Sequence, residues 1–244
     1  LGLYNKSGKA VLIAGSGVRD TGDRRYGAGT LVVDSKAPRP RPDTDRKPSL
    51  DLSGYEPVFR EEFDGPLDVS SWGSGTRWIA HTPWAGDFGD AAFADPKDGF
   101  PFTIEKGVLR IEARKDTKLP KTAPKRKRWR AGLLASNDPR GRGFSLQYGY
   151  FEIRTKLPAG PGVWPAFWLC SSYNRRDKNA GKDGSVEIDV FEYYGRAPNS
   201  FTATVHTWLP KPHSGKGTIV TTGKNAASAG FNRYGCMVRK DYIT

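Results

Sequence analysis

From residue 56 onward, short apolar runs alternate with turns built from Gly, Pro, Asn and Asp, and no stretch holds a helical period over any length. That pattern predicts an all-β sandwich. The most informative run is 185–194, bounded by Gly184 and Gly195 and apolar at Val186, Ile188, Val190 and Phe191. It reads as a buried strand, yet it carries Glu187, Asp189 and Glu192. Residues two apart share a face of a strand, so Glu187 and Asp189 point the same way. Strict alternation sends Glu192 to the other face. One extra residue near Val190 and Phe191, a β-bulge, returns it to the first.

Three acids in a row, on a strand otherwise made of Val, Ile and Phe, make a poor solvated face. They repel one another, and that repulsion raises one or more of their pKa values. Perturbed carboxylates concentrate at functional sites. The chemistry that needs a pair of carboxyls is glycoside hydrolysis. In its retaining form one is the nucleophile and the other the acid/base, roughly 5–5.5 Å apart.

The rest of the chain divides into three stretches. Residues 1–35 hold two strand-like runs, 9–14 and 29–33, around a polar loop with Arg19, Arg24 and Arg25. They predict a hairpin, either the end of a preceding module or an added edge of the sandwich. Residues 36–55 form a linker, whose start alternates basic residues with Pro38, Pro40 and Pro42 and is expected to be extended. Residues 56–244 are the β domain.

The formal net charge is +13. Such a balance bears on partners rather than fold, and it favours an acidic polymer, an anionic polysaccharide or a nucleic acid. Residues 118–130 concentrate seven basic side chains and no acid, a polyanion patch or a solvated loop. No run of 18 or more apolar residues exists, so no membrane-spanning helix is predicted, and no signal peptide is visible at Leu1. Cys170 and Cys236 both sit in strand-like runs, as buried thiols or as a disulfide pair.

Several aromatic residues stand out. The loop from Trp78 to Trp84 is too polar and too broken by Pro83 for a core strand. Trp78, His81 and Trp84 are candidate sugar contacts or loop residues tucked against the sandwich. His206 alternates with Thr204 and Trp208 on one strand face. His81 and His213 are far from it in sequence and lack metal-ligand spacing, so no zinc site is expected.

The motif Glu187-Ile188-Asp189-Val190-Phe191-Glu192 resembles the E-x-D-x-x-E signature of glycoside hydrolase family 16, the laminarinase and bacterial exopolysaccharide-glycanase group. Further blocks resemble the same family in the same order: 59–64 with Trp72, 107–113, 148–154, 162–169 and 230–235. The resemblance covers about 56–244. Asn232 stands where the family usually has His, and family members continue with further strands beyond the position of Thr244. The chain is therefore expected to lack those strands, or to fill their place with residues 1–35.

The resemblance implies a jelly-roll β-sandwich with a concave cleft and an endo-acting, retaining hydrolase of β-glycosidic bonds. It implies Glu187 as nucleophile, Glu192 as acid/base, and Asp189 between them tuning Glu187. It implies Trp164 and Trp168, four apart and expected on one strand face, as sugar-stacking residues, and His206 as a neighbour of the acids. It also implies a secreted, monomeric enzyme of β-glucan or exopolysaccharide that requires no cofactor. The family sometimes holds a structural calcium ion, for which no convincing ligand set is present. The alternative is a carbohydrate-binding protein without turnover on the same fold, against which the intact acid triplet argues. Neither a membrane nor a nucleic acid is an expected partner, because three acids in a cleft repel phosphate.

Overall fold

A computed structural model of the protein describes residues 50, 52–73, 75–118, 127–182 and 184–244. The expected hairpin at 1–35, positions 36–49 and 51 of the linker, and positions 119–126 of the basic tract lie outside the described residues. In chain order the elements are β1 (Val69–Ser70), β2 (Trp78–Ile79), β3 (Ala91–Phe93), β4 (Phe102–Glu105), β5 (Val108–Ile111), β6 (Ala113–Lys115) and β7 (Trp129–Ala131). They continue with β8 (Gly149–Thr155), β9 (Ala166–Cys170), β10 (Ser185–Glu192), β11 (Ser200–Leu209), β12 (Ser214–Thr221), α1 (Ala226–Ala229) and β13 (Asn232–Val238).

The fold is the expected all-β jelly-roll sandwich. Its largest ladder runs β12-β11-β10-β9 and is antiparallel throughout. β13 pairs antiparallel with β8, and β4 with β5 and β6 with β7 do likewise. Two short ladders, β1 with β2 and β3 with β7, are parallel, which departs from the wholly antiparallel expectation. The single helical turn among the described residues, α1, was not expected. Asn232 closes it against β13 by donating from Nδ2 to the carbonyls of Ala226 at 2.8 Å and Gly230 at 3.1 Å.

The core lies between β10 and the β8–β13 pair. Ile188, Val190 and Phe191 pack with Tyr193, Tyr234, Cys236 and Val238, and the rings of Phe151 and Phe201 close the cluster. Phe191 is 2% exposed and its ring lies 4.6 Å from that of Tyr234. Burying it is worth roughly 1.5–3 kcal/mol. The consecutive residues Val190 and Phe191 both enter this core. Strict alternation forbids that, and the register explains it. Asp189 faces Thr204 on β11 while Glu192 faces Thr202, so three steps on β10 oppose two on β11. On the other side Asp189 faces Trp168 and Phe191 faces Phe167. The bulge falls where the alternation of acids and apolar residues demanded it.

Other boundaries shift slightly. Tyr55 belongs with the domain rather than with the linker. Its hydroxyl donates to Met237 Sδ at 3.3 Å and accepts from Arg239 Nη2 at 2.5 Å. Trp164 precedes β9 instead of sharing a strand with Trp168, because Pro165 stands between it and the first paired residue, Ala166. Cys170 and Cys236 are free thiols, and burial pushes them up to about 11 and about 12. Two basic side chains of the tract are engaged within the domain. Lys127 Nζ donates to the Ala91 carbonyl at 2.8 Å, and Arg130 pairs with Asp116 at 3.0 Å.

Candidate active site

The face of β10 opposite the core carries Glu187, Asp189 and Glu192. Asp189 is 4% exposed, and its two neighbours in the row are half-buried. Burial pushes the Asp189 carboxyl up to about 8. The charges of Glu187 and Glu192 push the same way, and so does a hydrogen bond to Glu187. These shifts favour the protonated form of the middle acid, which shares its hydrogen bond with Glu187.

Each Glu has its own set of donors. Glu187 Oε2 accepts from the indole N–H of Trp208 at 2.7 Å. Glu192 Oε1 accepts from the indole N–H of Trp164 at 3.0 Å and from the Tyr194 hydroxyl at 3.2 Å, and its Oε2 accepts from the Thr202 hydroxyl at 3.4 Å. Burial and the adjacent Glu192 charge push the Tyr194 phenol up, which keeps it a donor. Trp164 stacks on Tyr194 at 5.5 Å and remains 46% exposed, so its ring face is open while its N–H is occupied.

His206 sits directly across from Glu187 in the β10–β11 register. Its Nε2 lies 3.2 Å from Asp189 Oδ2, within ion-pair reach but outside hydrogen-bonding geometry. Its Nδ1 shares a hydrogen bond with His213 Nε2 at 3.1 Å. The His213 ring stacks on Trp208 at 4.0 Å and on His206 at 5.2 Å. The β11–β12 hairpin makes this possible. Gly215 pairs opposite His206, and a Cβ there would stand 2.7 Å from His206 Nδ1. His213, remote in sequence, is thus part of the site.

The remaining aromatic candidates divide. Trp168, the cross-strand partner of Asp189, meets Trp84 edge-on at 5.8 Å and Phe88 at 6.1 Å. Phe88 also meets Trp164 at 6.2 Å, so one aromatic wall joins Trp84, Trp168 and Trp164. Trp78 lies elsewhere, with its edge against Phe59 at 5.4 Å and its indole N–H donating to Glu61 Oε2 at 3.3 Å. His81 stacks flat on Trp72 at 4.2 Å and hydrogen-bonds Asp95 at 2.9 Å.

Among the described residues, one group of His, Cys, Asp and Glu side chains is compact enough to share a metal ion. It is Glu187, Asp189 and His206, whose ligand atoms lie within 4.8 Å of one another. A cation bound there would have to displace the proton that burial favours on Asp189, because a ligating carboxyl must give up its proton.

Trp208, Tyr194, Thr202 and His213 were not singled out as site residues from the sequence. The available signal was spacing. Trp208 is two residues from His206, and Tyr194 is two residues from Glu192.

Comparison with known proteins places this geometry. The model of the glycosyl hydrolases family 16 matches residues 103–244. The chain is 29% identical over 210 residues to the endo-1,3-1,4-beta-glycanase ExsH of Rhizobium meliloti (strain 1021), covering 80% of this chain and 41% of that protein. It is 30% identical over 188 residues to the glucan endo-1,3-beta-glucosidase A1 of Niallia circulans, covering 72% of this chain and 26% of that protein. The chain thus spans less than half the length of either relative. Among solved structures, the laminarinase catalytic domain of Thermotoga maritima MSB8 superposes with a TM-score of 0.55 at 22% identity, over 76% of this chain and 71% of that one. SCLam, a non-specific endo-beta-1,3(4)-glucanase, superposes with a TM-score of 0.54 at 23% identity, over 76% and 66%. These two likenesses establish the shared fold.

Proposed function

Because the chain belongs to glycosyl hydrolases family 16, we propose that it is an endo-acting retaining hydrolase of β-glycosidic bonds, with a β-1,3- or β-1,3-1,4-linked glucan backbone as its substrate class. The observation that carries this reading is the bulge in β10. It brings Glu192 back to the face of Glu187 and leaves a buried Asp189 between them. In the first step the Glu187 carboxylate attacks the anomeric carbon. The bond to the leaving oxygen breaks, and Glu192 gives that oxygen its proton. In the second step the Glu192 carboxylate takes a proton from water, the water oxygen attacks the same carbon, and Glu187 leaves as carboxylate. Protonated Asp189 shares a hydrogen bond with Glu187 and places no second negative charge beside the nucleophile. The wall of Trp164, Trp168 and Trp84 supports sugar stacking beside the acids. No cofactor enters these steps.

The names of the relatives support the linkage class, and the net charge of +13 supports a polymer that carries acidic groups. An extracellular monomer that acts on such a polymer fits this reading. Among the described residues no helix is long and apolar enough to cross a membrane.

The test is release of reducing sugar from laminarin and from mixed-linkage β-glucan. Glu187→Gln keeps the shape of the side chain and removes the attacking carboxylate, so turnover is expected to fall by several orders of magnitude with circular dichroism unchanged. Near-full activity in this variant, on a glucan the parent cleaves, would remove Glu187 from the chemistry and leave the family assignment standing for the fold alone.

A further inference from the structure

A second concave site is built from residues outside the acid row. A cavity of about 300 Å³ is lined by Trp72, Gly73, Asp138, Pro139, Arg140, Arg142 and Arg176. That volume is at the lower end of small-molecule sites. Three arginines and one aspartate line it, and the aspartate's carboxylate is already committed. Asp138 accepts from the backbone N–H groups of Arg140 at 2.8 Å and Arg142 at 3.0 Å, and from Arg142 Nε at 2.7 Å. It holds the loop and neutralises Arg142. The side chains of Arg140 and Arg176 have no hydrogen-bond or ion-pair partner among the described residues, and both are exposed. Two uncompensated guanidinium groups at one cavity repel each other, an arrangement that a bound anion relieves.

The cavity also has an aromatic side. Trp72 is 43% exposed and is backed by His81, stacked at 4.2 Å and 7°. An indole held flat from behind offers its other face as a platform for the C–H face of a sugar ring. The approach is built for closeness. Gly73 sits at φ +86°, and a Cβ there would lie 2.6 Å from Asp138 Cβ, so only glycine lets this turn close onto the arginine loop.

The site is joined to the acids by contacts. The Arg175 N–H donates to the Pro139 carbonyl at 2.9 Å, which ties the arginine loop to the segment that follows β9. The Arg175 guanidinium lies over Trp84 at 5.0 Å, Trp84 meets Trp168, and Trp168 is the cross-strand partner of Asp189. This chain of contacts ties the arginine loop to the aromatic wall beside the acids.

We propose that this cavity is a subsite for an anionic sugar of the polysaccharide, with Trp72 under the ring and Arg140 and Arg176 holding its carboxylate. It rests on the polysaccharide reading above and adds a chemical preference to it: a substrate carrying carboxylate groups on or beside its β-glucan backbone. A planar guanidinium accepts a carboxylate in two parallel hydrogen bonds, which a lysine cannot reproduce.

The test is calorimetric binding of carboxymethylated and unmodified laminari-oligosaccharides of equal length to the chain carrying Glu187→Gln, so that nothing is cleaved. The carboxymethylated ligand is expected to bind about tenfold more tightly, the scale of one to two charge-assisted hydrogen bonds. Adding Arg140→Gln and Arg176→Gln together abolishes that preference. Adding Lys224→Gln and Lys240→Gln, which removes the same charge from exposed positions that do not line the cavity, keeps it. An absent preference in the starting chain, its survival without the two arginines, or its equal loss in the lysine pair each overturns the proposal. The parent chain is assayed separately on neutral laminarin. Failure there counts against the hydrolase reading, while the preference ratio still decides the cavity.

Discussion

Glu187 and Glu192 close the two ends of one row of acids, and the chain holds them by different means. At the Glu187 end, among the described residues, the donor from another strand is the Trp208 indole, braced by a stack of His213 and His206 that belongs to one hairpin, β11–β12. At the Glu192 end three donors arrive from three places: Trp164 ahead of β9, Tyr194 just past β10, and Thr202 on β11. Apart from its neighbour Asp189 in the row, Glu187 has one donor, while Glu192 is held redundantly by three. A nucleophile must present one oxygen along one trajectory, which suits a single fixed donor. An acid/base must exchange its proton and then accept another, and its position has to survive both states.

The largest expected effect separates the two ends by role. Glu192→Gln is expected to collapse the hydrolysis of natural glucan about as far as Glu187→Gln does. With an aryl glycoside whose leaving group needs no proton, the first step survives in Glu192→Gln, and added azide restores turnover by releasing the glycosyl group. No such rescue is expected for Glu187→Gln, because no covalent intermediate forms. Azide rescue in the Glu187 variant, and its absence in the Glu192 variant, would exchange the two assignments.

How much of this contrast was legible in the sequence depends on the range of the contacts. The acid row and its bulge could be read because they are local. Val190 and Phe191 are adjacent apolar residues in a strand that otherwise alternates, and only an extra residue keeps both in the core and both Glu residues out of it. The donors could not be read in the same way. Trp208 reaches Glu187 through the register of β10 against β11, which shifts between Ser185 and Val186, and a pattern along one strand carries no information about that shift. His213 looked remote because only the hairpin turn folds it over His206. Trp78 looked like a cleft residue because its loop is polar, but it packs on Phe59 and Glu61, partners far upstream in the chain. The arginine cavity gathers residues 72–73, 138–142 and 176, and no local period links them.

The difference in redundancy gives the next effect. Trp208→Phe keeps a ring for the His213 stack and removes the donor to Glu187. A hydrogen bond to a charged group is worth roughly 1.5–3 kcal/mol, so kcat/KM is expected to fall roughly tenfold to a hundredfold. Tyr194→Phe removes one of the three donors at the other end, and the fall is expected to stay within about threefold, because Trp164 and Thr202 remain. Equal losses in the two variants, measured as kcat/KM on the same glucan, would show that the ends are held alike.

The smallest effect concerns Asp189, the residue common to both ends, and it is read in stability rather than rate. Its folded pKa is raised to about 8, first by burial and then by Glu187 and Glu192, whereas an unfolded Asp titrates near 3.9. Between those values the folded chain keeps a proton that the unfolded chain releases. Stability therefore falls as pH rises from about 4 through about 8, and the full contribution is present only below that window. Asp189→Asn keeps the shape and the donor to Glu187 but has no proton to lose. Its Tm is expected to match the parent's near pH 4, to exceed it by several degrees near pH 9, and to diverge progressively between. A Tm difference that stays constant across this range would mean that Asp189 is ionised in the fold. Glu187 would then face a second negative charge, where the mechanism above requires Glu187 to be the one carboxylate of the resting row, with a neutral Asp189 beside it and a protonated Glu192 ready to donate.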